Sequence, residues 1–257
     1  MTTTIYDRLN KFVASDSRWS KSVPGMPDWI VFVDDTGFGK IAVRGEKVLC
    51  LAGDGELIQE WKDWWRAPTI ILTYPRVEKP TGEKVALYAI DMGKNKVLFH
   101  QNLGCVHLDP ATQELQALFT GSGGTFALAG WQSSKCAKTS IGLAMNDDCR
   151  SGGKIRYVDF DSGLSDIEDS VQNINEVELL LTKRGFAMNA NDPNRTVYPI
   201  GAKDSNDDLT KVQAIVAGDS GFLNAPVGNE GIVWDEPTKA RLHHFIEDLI
   251  AEETNIQ

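Results

Sequence analysis

Basic clusters, long apolar runs and paired cysteines are all scarce in this chain. Its 26 Lys and Arg residues are outnumbered by 36 Asp and Glu, a formal net charge of −10, and no stretch gathers the cations into a patch. That balance argues against nucleic-acid and anionic-membrane partners, whose affinity rests on basic surface. The longest apolar runs, WIVFV at 29–33 and IIL at 70–72, fall far short of the roughly 20 residues that a bilayer-crossing helix needs. The N-terminal stretch has no basic segment followed by an apolar core, so no secretory signal is expected and a cytoplasmic location is the expectation. Cys50, Cys105, Cys136 and Cys149 form no C-x-x-C pair, which supports neither a disulfide frame nor a zinc site. In a reducing compartment they read as small buried hydrophobes.

What is present suits a sizeable core. With 257 residues and 42% of them hydrophobic, the chain can hold one large domain, or one plus a modest extension. TTTIYD and KFVASDSRW predict two strands around a tight turn at Leu9-Asn10-Lys11. SKSVPGMPD reads as a loop leading to the apolar WIVFV, and GKIAVRG and KVLCLAG read as two further strands ending at Ala52-Gly53-Asp54-Gly55. The period then changes. Leu57, Ile58, Trp61, Trp64 and Trp65 share one helical face, capped by Asp54 or Gly55 and stopped by Pro68. A tryptophan stripe can form a ligand cage, but core packing is the ordinary use of such aromatics.

Farther on, KVALYAIDMGKNKVLFHQN predicts a hairpin turning at Gly93-Lys94-Asn95. Ala127, Leu128 and Trp131, and then Ile141, Leu143 and Ala144, suggest two packed helices, the first opening at the glycine-rich TGSGG; KIRYVDF closes as a strand. Beyond residue 160, VELLLTKRG fits a helix or a strand, NANDPNRT a loop, and a last helix from about Pro237 carries Leu242, Phe245, Ile246, Leu249 and Ile250 on one face. The order of strands and helices suggests two sheets sandwiched between helical layers.

Several polar residues have ordinary readings when taken singly. Asp16 turns a strand end, Lys40 opens an edge strand, Ser122 caps a helix, and Asp148 with Ser151 shapes a helix-ending turn. Their order is more informative. Threonines at the N-terminus are followed by SDSR, then by GKIAVRGEKVLCLAGDG, FTGSGGTFALAG and AMNDDCRSGGKI. Together these stretches resemble the proteasome β-subunit family of N-terminal-nucleophile hydrolases over roughly residues 2–160.

The resemblance implies an α+β fold: a four-layer αββα sandwich of two antiparallel sheets between helical layers. Residues 1–160 would form its core, and residues 161–257 would complete it and extend it to the amphipathic final helix. It implies Thr2 or Thr3 as nucleophile, Asp16 and Lys40 as the buried pair beside it, Ser122 as a helper of the terminal amine, and Asp148 with Ser151 as support. Gly53 would supply the oxyanion donor. No cofactor or metal is expected. A threonine hydroxyl needs a base, and its own α-amino group, with a pKa near ~8, serves near neutral pH. A lysine ammonium beside it lowers the pKa of the amine by repulsion and favours the forming alkoxide.

The two threonines point to opposite faces of a strand, so only one can serve. Removal of Met1 alone exposes Thr2, whereas spacing to the hydrophobe Ile5 favours Thr3. The family's hairpin before the aspartate is slightly longer, its segment before the lysine is shorter, and its second long helix is replaced here by PTIILTYPRVEKPTGEK. That replacement bears on ring assembly. GDSGF at 218–222 has a serine-protease look but lacks a matching histidine segment, GSGG lacks the P-loop continuation, and His243 and His244 face different ways on a helix. The expected activity is hydrolysis of an amide bond in a peptide or small amide. The alternative is a catalytically silent binding protein, an inhibitory or immunity partner of another protein. Self-association or a protein partner is compatible with either.

Overall fold

The computed structural model describes residues 2–101, 105–167, 169–202, 207–218, 223–225 and 232–254. Alternating β-branched and aromatic residues at the N-terminus form a hairpin of β1 (Thr4–Asp7) and β2 (Phe12–Ser15), in register from Thr4 opposite Ser15 to Asp7 opposite Phe12. Lys11, at φ 49°, closes its turn. Residues 105–118 carry no pattern named above, yet β9 (Cys105–Leu108) and β10 (Leu115–Thr120) extend this hairpin. With β11 (Arg156–Asp159) they complete a five-stranded antiparallel sheet in the order β11-β2-β1-β10-β9.

The segment read as a loop, SKSVPGMPD, is instead most of a hairpin: β3 (Trp19–Val23) turns at Gly25, φ +72°, into β4 (Met26–Val33). Glycine takes the left-handed conformation without a Cβ clash, so a two-residue connection suffices. A second hairpin follows, β5 (Ile41–Arg44) with β6 (Lys47–Asp54), and then β7 (Val85–Asp91) with β8 (Lys96–His100). With β12 (Phe186–Asn189), β13 (Val197–Pro199) and β14 (Asn224–Ala225) these make a nine-stranded sheet. Its order is β13-β12-β4-β3-β14-β6-β7-β8, with β5 pairing the first half of β6.

Helices α2 (Gly124–Ser134) and α3 (Ala137–Asp147) pack against the five-stranded sheet. Helices α1 (Gly55–Arg66), α4 (Ile174–Arg184), α5 (Asp207–Gly218) and α6 (Glu236–Thr254) contact strands of the larger one. The fold is therefore mixed α and β, with two antiparallel sheets and six helices among the described residues. Neighbouring residues of β1 divide between two cores, as a period of two requires. Ile5 packs with Phe119, Trp131 and Ile141 under α2 and α3, whereas Tyr6 joins Leu51, Leu87 and the tryptophans of α1.

The tryptophan stripe is core. Trp61 and Trp65 are fully buried, and the Trp61 indole N–H donates to Arg76 O at 2.9 Å. Asp54 caps α1 by accepting Leu57 N at 3.0 Å, and residues 68–84 contain no helix. VELLLTKRG lies in helix α4, and NANDPNRT spans the β12–β13 connection. Leu242, Phe245, Ile246 and Leu249 of α6 are buried. Two expectations change. Leu143 is exposed on α3, and of the four free cysteines only Cys50 is fully buried, with Cys136 exposed at the start of α3. No described helix is long and apolar enough to cross a membrane. Of GDSGF, residues 219–222 lie outside the described residues.

Candidate active site

The β1–β2 ladder runs one step past its last named pair, because Asp16 N donates to Thr3 O at 3.0 Å. This lays the Asp16 side chain beside the N-terminal threonines. Thr2 Oγ1 donates to Asp16 Oδ1 at 2.5 Å, and the same oxygen accepts Thr3 N at 2.9 Å and Lys40 Nζ at 2.8 Å. The other oxygen accepts Gly152 N at 3.0 Å and Arg18 N at 3.3 Å. A carboxylate is an acceptor only, and a shell made entirely of donors suits it.

Thr2 and Asp16 are buried, and the Lys40 side chain has no exposed surface. Burial pulls the Lys40 ammonium below its ordinary value, against the opposing attraction of Asp16. The ammonium also donates to Arg18 O at 2.7 Å. The turn before Lys40 is held in place from both sides: Trp19 Nε1 donates to Phe38 O at 2.8 Å, and Lys62 Nζ to Gly39 O at 2.5 Å. Lys62 in turn pairs with Asp169 at 2.9 Å.

The other face of the threonine segment meets the loop after α3. Ser151 Oγ donates to Asp148 Oδ2 at 2.6 Å, which leaves its oxygen free to accept the Thr3 hydroxyl at 2.7 Å. A relay Thr3 to Ser151 to Asp148 results. Arg150 N donates to Asp148 Oδ1 at 3.1 Å, fixing that carboxylate.

The third wall is Gly121-Ser122-Gly123, between β10 and α2. Gly123 N donates to Thr2 O at 3.2 Å, and a Cβ on Gly123 would stand 2.0 Å from Thr3 Oγ1. Ser122 is buried, and its hydroxyl has no hydrogen-bond partner among the described residues. Leaving such a group unpaired costs about 1–3 kcal/mol. Gly121 has φ +85°, and a Cβ there would meet Thr2 O at 2.0 Å. Gly121→Ala is therefore expected to destabilise the protein by about 2 kcal/mol or more, through left-handed strain plus a backbone clash. Urea unfolding measures this, and a change below about 0.5 kcal/mol would contradict the geometry.

Thr2, Thr3, Asp16, Lys40, Ser122, Asp148 and Ser151 are thus gathered around one strand end. Thr2 faces the Asp16–Lys40 pair and Thr3 faces Ser151, so the two threonines divide the cluster between them. Gly53 is placed differently: it lies inside β6 with Val85 on one side and Ala225 on the other as strand partners. Arg18, Gly121, Gly123 and Gly152 were not among the residues singled out from sequence. Arg18 is central to the arrangement, because its guanidinium pairs with Asp34 at 2.9 Å and donates to Cys149 O at 2.8 Å, tying the SDSR turn to the loop after α3. The signal for it lay in SDSR itself, whose arginine stands two residues after Asp16.

His243 and His244 face solvent on α6 beside Glu247. No group of His, Cys, Asp and Glu able to hold a metal occurs among the described residues. No family model and no curated protein matches the chain. Among solved structures it is similar to BPH of Thiobacillus denitrificans, determined in complex with epoxomicin. The TM-score is 0.40 at 12% identity, over 61% of this chain and 96% of that one.

Proposed function

We propose that the protein is a threonine-nucleophile amide-bond hydrolase with Thr2 as the nucleophile, built on a four-layer αββα sandwich. The observation that carries this reading is the shared contact of Thr2 Oγ1 and Lys40 Nζ with Asp16 Oδ1 in a buried pocket. Removal of Met1 frees the Thr2 α-amine. That amine takes the hydroxyl proton as the oxygen attacks the amide carbon, and then passes it to the departing amine. Water releases the resulting ester by the same route in reverse. Lys40 favours the alkoxide and keeps the amine unprotonated by repulsion. The unpartnered Ser122 hydroxyl offers the new amine a hydrogen-bond partner. Gly53 N–H is proposed as the oxyanion donor, a role that requires Ala225, its strand partner in β14, to give way.

The pH profile follows from these roles. kcat/KM for an amide substrate is expected to rise as the Thr2 amine loses its proton, at or below the ordinary value near ~8. It falls again as Lys40 neutralises, on a limb below the ordinary lysine value of 10.5, because burial favours the uncharged amine. A profile flat to that value would contradict the role of Lys40. The silent-binding-protein reading has one observation in its favour, the complete burial of Thr2. Retained Met1 in an intact-mass measurement, together with unchanged behaviour of Lys40→Ala, would decide for it.

A further inference from the structure

Between β3 and β6 the larger sheet has a gap one strand wide, and the chain fills it with its own residues. Asn224 pairs with Ser20 on one side and with Asp54 on the other, and Ala225 pairs with Gly53, all antiparallel. Away from this gap, β3 pairs with β4, while β6 pairs with β7 and, at its start, with β5. Both walls run next to Lys40: Arg18 O, two residues before Ser20, accepts Lys40 Nζ at 2.7 Å, and Leu51 N, two residues before Gly53, donates to Lys40 O at 2.9 Å.

The occupant is fitted closely but held by little. Leu223 and Ala225 are fully buried, and Leu223 N donates to the Glu178 carboxylate on α4. Leu223 O lies 2.3 Å from where a Cβ on Gly55 would stand, so the first residue of α1 has to be glycine for the strand to enter. The strand has only two residues, where about 5 to 6 are usual, so it contributes few ladder bonds. Asn224 is a poor strand former, and its side-chain oxygen is buried with no hydrogen-bond partner among the described residues.

We propose that Leu223–Ala225 is a built-in competitor occupying a slot for an extended peptide. That peptide binds as an added strand between β3 and β6, using main-chain hydrogen bonds to both walls. The resident strand must leave first, so the free protein is held in a self-inhibited state. That the bound peptide is then cleaved rests on the hydrolase reading above; its binding does not.

The test uses the full chain carrying Thr2→Ala, so that binding is read without turnover. The probe is fluorescein-labelled acetyl-Gly-Phe-Leu-Asn-Ala-Gly amide, which carries residues 221–225 with Gly in place of Pro226, followed by fluorescence anisotropy. Leu223→Asp expels the strand by burying a charge, and Asn224→Pro removes its backbone donor. Either is expected to tighten probe binding at least about tenfold, because the intramolecular occupant no longer reduces the binding-competent fraction. Equal or weaker binding by the folded variants would overturn the proposal. Should both variants fail to fold, hydrogen exchange in the Thr2→Ala protein decides. Saturating probe should speed exchange of the Asn224 and Ala225 amides, and unchanged exchange would overturn the proposal. Tightened binding by a protein in which Thr2 proves unreactive would sink the hydrolase reading and leave this one standing.

Discussion

Thr2→Ala is expected to lower kcat/KM for any amide substrate about 10³-fold or more, with the fold intact. The expectation rests on what the side chain does in place. Its hydroxyl is hydrogen-bonded to Asp16 Oδ1, the oxygen that also holds Lys40, so the hydroxyl and the ammonium share one acceptor. Thr3→Ala distinguishes nucleophile from neighbour. The Thr3 hydroxyl meets Ser151 on the opposite face, and its removal breaks the relay to Asp148 while leaving Thr2, Asp16 and Lys40 in contact. Its effect should be much smaller, about tenfold, as expected for a residue that positions others. Steady-state kinetics on both variants, with circular dichroism to verify folding, make the comparison. Equal losses, or a larger loss for Thr3→Ala, would reverse the assignment.

Asp16→Ala is expected to cost about 3–5 kcal/mol of stability, the largest structural effect of any change at the site. Five donors converge on this carboxylate, from Thr2 Oγ1, Thr3 N, Lys40 Nζ, Gly152 N and Arg18 N. Without it Lys40 becomes an unpaired buried cation, and the strand end, the SDSR turn and the loop after α3 lose their common anchor. Asn is a poor replacement, since whichever way its amide is turned, an NH₂ group faces donors. The sign with pH follows from linkage. Burial already lowers the Lys40 value, and loss of Asp16 removes the attraction opposing that shift. The unfolded chain then binds more protons than the folded one over the window below 10.5, and the penalty shrinks as pH rises through it. Urea titrations of both proteins at neutral and alkaline pH measure this. A penalty below about 1 kcal/mol would contradict the central role given to Asp16.

The local pattern of the chain was readable wherever a period persisted. The Thr4–Asp7 and Phe12–Ser15 hairpin, the tryptophan-faced α1 and the apolar face of α6 all follow from alternation or from a helical repeat. Legibility failed where tertiary context overrode local chemistry. SKSVPGMPD carries two prolines and a glycine and reads as a loop, yet a single left-handed Gly25 turns it into a hairpin. Residues 105–108 alternate only weakly, and β9 owes its place to pairing with β10. The gathering of Asp16, Lys40, Asp148 and Ser151 came from their order along the chain, because no local pattern predicts contacts across 148 residues, as between Thr3 and Ser151. The two-residue β14 has no sequence signature at all, since its pairing is decided by the edges of β3 and β6.

The most direct test is mass spectrometry of the purified chain before and after treatment with a small threonine-directed electrophile. The account predicts a chain lacking Met1 and a single adduct mapped by fragmentation to Thr2, slowed at least about tenfold by Lys40→Ala. A chain that keeps Met1 and takes no adduct, or an adduct on Thr3 or elsewhere, would contradict the assignment of Thr2 as the nucleophile.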